Sequence, residues 1–190
     1  MMMAAPAAPI LHRISRTLAW VSGGLVLLCA ALVALDVLTR TLLQRVLFES
    51  FELSAYGFAI SVSLGLGYTA TERANVRVDT INAILPRAAR IALDVLAIVA
   101  LAGFAAVLAW QTAQVAIASF GMSARSNSSL AVPLVYPQGL WALGICWFAL
   151  VAILLAAGTL RAAAARRWTE IERLAGLRAT QAATAERESI

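Results

Sequence analysis

The stretch "TLAWVSGGLVLLCAALVAL", residues 17–35, is nineteen residues without a charge, closed by Arg16 on one side and Asp36 on the other. As a helix it spans about 28 Å, which matches a hydrocarbon thickness of roughly 30 Å. A second run of nineteen uncharged residues lies between Glu52 and Glu72. Two longer uncharged runs, 95–124 and 126–160, each exceed the needs of one span. Between them crowd Gly121, Ser123, Ser126, Asn127, Ser128, Ser129, Pro133 and Pro137, the residue types of a loop. The sequence therefore predicts an all-α integral membrane bundle of four transmembrane helices, at about 17–37, 53–71, 91–117 and 137–160. These form one membrane domain, 17–160, between an N-terminal tail, 1–16, and a C-terminal tail, 161–190. Composition agrees: 62% of the residues are hydrophobic and 13% charged, against about 45–50% and 25% in soluble domains.

Charge placement sets the expected orientation. With four spans, the N-terminal tail, the loop near residue 80 and the C-terminal tail share one side of the membrane. Twelve of the fifteen arginines fall there, and the chain has no lysine. By the positive-inside rule both termini are cytoplasmic. The pI near 10.2 then reflects topology and attraction to anionic lipid, and nothing else supports a nucleic-acid partner. The first span is expected to stay in place rather than be cleaved: its apolar run exceeds the 7 to 15 residues of a signal peptide, and no A-x-A site follows it.

Local patterns add detail. After the first span, "DVLTRTLLQRVLFESFE" places Val37, Leu38, Thr41, Leu42 and Val46 at helical spacing, with Asp36, Arg40 and Gln44 as an i, i+4, i+8 stripe. This predicts an amphipathic segment lying in the interface, or a polar extension of the first span. In the second span Gly57, Ser61, Gly65 and Thr69 recur every four residues, lining one face with small side chains. Such a face lets helix backbones approach closely in lipid, either against this chain's own helices or against a partner. Pro86 fits the start of the third span, and Tyr136 and Trp141 suit an interfacial belt at the start of the fourth.

The spans exclude several functions. A charge at mid-membrane costs roughly 2.5–3.5 kcal/mol and is kept only for use. None stands at mid-span here; Asp36, Asp79 and Asp94 are all at membrane edges. Gln111 and Gln114 are the larger polar groups well inside the third span, and they read as hydrogen-bonding glue between helices. Intramembrane proteolysis would need a Ser/His pair or two aspartates inside the spans. The sole histidine, His12, lies in the N-terminal tail, which removes bis-histidine haem ligation and most zinc chemistry. Cys29 and Cys146 sit inside predicted spans as small apolar residues. No catalytic, metal or cofactor site is expected, and the chain reads as a module that binds, orients or stabilises another protein.

Four motifs in order resemble the DctQ-like family, the small permease subunits of tripartite ATP-independent periplasmic (TRAP) transporters. The first span ends in "DVLTR", with Asp36 and Arg40; the second opens with "FELSAY", where Glu52 matches the second of the family's two glutamates and Phe51 replaces the first. Near the end of the second span stands Gly67, followed by "NVRVD". There Arg77 and Asp79 match the family's string, while Asn75 takes the place of its usual histidine. Before the fourth span, "SLAVPLVYPQGLWALG" carries the matching Pro133. The similarity covers about residues 13–161.

The resemblance implies the small membrane subunit of a sodium-coupled uptake system for organic acid-type solutes, in the bacterial inner membrane. A large permease subunit would hold the sodium and substrate sites, this chain would scaffold it, and a periplasmic binding protein would deliver the solute. The other reading is a non-catalytic anchor or assembly subunit of another bacterial membrane complex. The positions expected to carry family or assembly roles are Asp36, Arg40, Glu52, Gly57, Ser61, Gly65, Gly67, Asn75, Arg77, Asp79 and Pro133.

Overall fold

A computed structural model of the chain describes residues 7–44, 49–72, 86–128 and 130–165. They form four helices: α1 (Ala7–Leu43), α2 (Ser50–Thr71), α3 (Arg87–Gly121) and α4 (Val135–Ala164). The fold is the all-helical membrane bundle that the uncharged runs predict. α1, α3 and α4 are each long and apolar enough to cross a membrane. α2 has 22 residues, about 33 Å of helix, so it is long enough. Its serines, threonines and glycines dilute its hydropathy, and it is not among those three.

Three of the helix ends have a local cause. α1 runs on without a break past Asp36 to Leu43, so the stripe after the first span takes the second of its two expected forms, a polar extension. It stops where Gln44 turns to φ 53°, a left-handed conformation that no helix continues through. α3 starts after Pro86, whose ψ of 150° is extended; a proline at this boundary has no N–H to leave unsatisfied. Its other end is a Schellman motif: Ser123, at φ 47°, donates its N–H to Phe120, and Ala124 donates to Ser119, at 3.1 and 2.9 Å.

α1 packs on α2, α2 on α4, and α4 on α3, leaving α1 and α3 outermost. The α1–α2 pairing is antiparallel. Going up α2, Ser50, Gly57, Ser61 and Glu72 meet Asp36, Cys29, Ser22 and His12 in turn. α2 and α4 run in parallel, with Ser63 against Gly144 and Gly67 against Trp147.

The apolar core lies mainly between α3 and α4: Ile91, Ile98, Ala102 and Ala105 on one side, Phe148, Ala149, Val151, Ala152 and Ala156 on the other. Alanine dominates because, without a hydrophobic drive between helices in lipid, association depends on close backbone approach. Buried hydroxyls bond to the preceding turn. Ser61 donates to Gly57, Ser63 to Ile60 and Thr159 to Leu155, at 2.7, 2.8 and 2.9 Å. That satisfies them where water cannot.

Candidate functional site

Two polar clusters mark the two ends of the α1–α2 pair. At the first, Asp36 is buried at the C-terminal end of α1. Its Oδ2 accepts from Arg40 Nε at 2.8 Å and from Ser50 Oγ at 2.5 Å. Its Oδ1 is buried without a partner. The aspartate–arginine motif of the first span is thus an i, i+4 ion pair that also receives the start of α2. Arg40 is half exposed, so the net stabilisation from the pair is modest, about 0.3–1 kcal/mol.

Two residues further along α2, Glu52 holds the loop that joins α3 to α4. Its Oε2 accepts from Ser128, and its Oε1 accepts from Tyr56 at 2.6 Å. Ser126 and Ser128 lie 2.8 Å apart, and Ser126 Oγ also accepts the Val132 N–H at 3.1 Å. The hydroxyls of Ser128, Tyr56 and Ser126, in that order, hold the Glu52 carboxyl below its ordinary range, against a smaller opposing effect of burial. The loop itself closes through an Arg125–Pro133 bridge and a Ser126 N–H to Val132 carbonyl bond of 2.9 Å, with Ala131 at φ 44°. Pro133 therefore belongs to the loop that Glu52 anchors.

The second cluster is at the other end. His12 Nε2 lies 2.7 Å from Glu72 Oε1, and the His12 ring tilts against Tyr68 with centroids 5.9 Å apart. One turn inward, Trp147 of α4 donates its Nε1–H to Ser15 of α1 at 3.1 Å. Gly67 makes this three-helix junction possible. A Cβ there would sit 2.6 Å from Trp147 Cδ1 and 2.8 Å from Nε1, inside any tolerable contact.

The small-residue face of α2 is occupied within the chain. A Cβ at Gly57 would meet Cys29 Sγ at 2.3 Å, and one at Gly65 would meet Ser22 Oγ at 3.4 Å. Ser22 donates to the Ser61 carbonyl at 2.7 Å, and Ser61 is buried. Of the two readings of this face, the structure has packing against the chain's own α1; a partner has no access to Ser61. Gln111 and Gln114 depart from expectation in the opposite sense. Both are exposed on α3 and do not bond to another of the described helices. Asn75, Arg77 and Asp79 lie outside the described residues.

Sequence reasoning missed the Glu52–Tyr56–Ser126–Ser128 cluster and the Trp147–Ser15 bond. The i, i+4 spacing of Glu52 and Tyr56 signals the first in part, and a tryptophan deep in a span, needing an acceptor for its N–H, signals the second. Chemically, both clusters tie helices and a loop together. Among the described residues, no group of three or more His, Cys, Asp or Glu side chains could hold a metal ion.

No curated protein and no solved structure matches the chain. Residues 29–162 match the family described as tripartite ATP-independent periplasmic transporters, DctQ component. That match runs from Cys29, against Gly57, through the Asp36 and Glu52 clusters to the end of α4, and with it the chain belongs to the DctQ family, the small permease component of TRAP transporters.

Proposed function

We propose that this chain is the scaffold subunit of a sodium-coupled TRAP transporter that takes up organic acid-type solutes. It sits in the bacterial inner membrane with both termini in the cytoplasm. A large permease subunit carries the sodium and solute sites, and a periplasmic binding protein delivers the solute to the pair. The observation that carries this reading is the family match over 29–162. The charge pattern supports it, because the ionisable groups of the described helices cluster toward helix ends and leave the middles of the spans without a charged group of the kind that ion-coupled transport sites commonly use. The Glu52-anchored loop, on the side expected to be periplasmic, is the natural surface for the binding protein.

The test is a deletion of this chain in cells that keep the other two components. Loss of uptake that depends on the binding protein, restored by supplying the chain in trans, is the expected result. Uptake at the parental rate in the deleted strain refutes the scaffold role. Omitting external sodium from reconstituted vesicles should abolish accumulation, and sodium-independent accumulation would remove the coupling from the proposal.

A further inference from the structure

Gln111 and Gln114 stand near the middle of an uncharged run, 95–124. At 1.5 Å per residue they lie about 2–7 Å from its midpoint, well inside a hydrocarbon layer roughly 30 Å thick. Both side chains are exposed, and among the described residues neither has a hydrogen-bond partner. Lipid tails offer an amide nothing, and an unsatisfied polar group there is costly. The fold does not create this exposure by accident of packing. The side of α3 that meets α4 is built from Ile91, Ile98, Ala102 and Ala105, and the two glutamines lie on the other side.

The glutamines belong to a seam. Ala100, Gly103, Val107, Gln111, Gln114 and Ala118 follow one another at three- and four-residue steps, the spacing of a helix-packing line, and all six are exposed. Gly103 has nothing within 4 Å of the place a Cβ would take. Small residues flank two amides: room for a second helix on either side, and donors and acceptors at its centre.

From this we infer that the outer face of α3 is the docking surface for a transmembrane helix of the large permease subunit, and that this helix presents a hydrogen-bonding side chain or an open backbone group to Gln111 and Gln114. The inference rests on the proposed function, since it takes its partner from there. A lipid-covered face leaves the amides unmet, and the α2 face offered by the sequence is already filled by α1. A second copy of this chain could pair amide with amide, and the test separates that case.

The full chain, with exposed Cys146 replaced by alanine, is co-expressed with its large permease subunit. A photo-crosslinking residue is placed at Val107 or Ala118, and at Leu27 on α1 as a control. Adducts with the large subunit from 107 and 118, and none from 27, are expected. In a detergent titration the double substitution Gln111→Leu, Gln114→Leu should weaken the complex about tenfold, while the isolated chain melts as before. Adducts only with a second copy or with lipid, or an unweakened complex, overturn the inference while an intact complex leaves the proposed function standing. If the unsubstituted chain does not co-purify with the large subunit at all, the proposed function fails first and the inference with it.

Discussion

Gly57, Gly67 and Gly144 each stand where a side chain would strike a neighbouring helix, and each is spared by a different neighbour: Cys29, Trp147 and Ser63. The consequences of substitution differ accordingly. At Gly57 the obstacle is one sulfur on one rotatable bond, so Gly57→Ala should destabilise by about 1–3 kcal/mol. Cys29→Ala in the same chain should recover most of that loss, because the pair shares one space. At Gly144 the obstacle includes Ser63 backbone 2.9 Å away, and Ser63→Ala should rescue Gly144→Ala poorly. Thermal melting of the four single and two double variants measures both; equal rescue at the two sites would contradict the geometry. Gly67 was legible in the sequence as a family position, but its cause was not. The ring that requires it is eighty residues away, and no local pattern announces which tryptophan will lie across which glycine.

At the scale of elements, the helices were legible because uncharged runs of membrane length admit little else. The order in which they pack was not. A helix that is apolar all round carries no periodicity to say which face is inside, so the sequence placed Gln111 and Gln114 between helices when the structure puts them outside. The loop between α3 and α4 depends on one carboxylate, and its pH dependence has a definite sign. The Glu52 carboxyl is held low by Ser128, Tyr56 and Ser126, so its contribution is present above the ordinary carboxylate range and is lost as pH falls through the depressed value. Spin labels at Phe51 and Leu130, both exposed, should keep a narrow distance distribution from neutral pH to below 4.5, the unperturbed value for Glu52, and broaden at lower pH. Glu52→Ala should give the broad distribution at every pH. A narrow one at neutral pH in that variant would mean the loop holds itself.

The described residues form a layer of four helices whose two outer members, α1 and α3, present long apolar faces. Twelve arginines on one side against three on the other predict a single orientation. Fluorescent-protein fusions at either terminus should therefore light up. An alkaline phosphatase inserted at Leu130 should be active, and the reverse pattern would invert the topology. The central claim is that this layer exists to hold a larger membrane protein. Affinity purification of the chain from membranes that also contain the large permease subunit tests it most directly. The account predicts one complex containing both proteins, and a several-fold fall in the large subunit when the chain is deleted. A chain that elutes alone, beside a large subunit that stays abundant and active without it, would contradict the account.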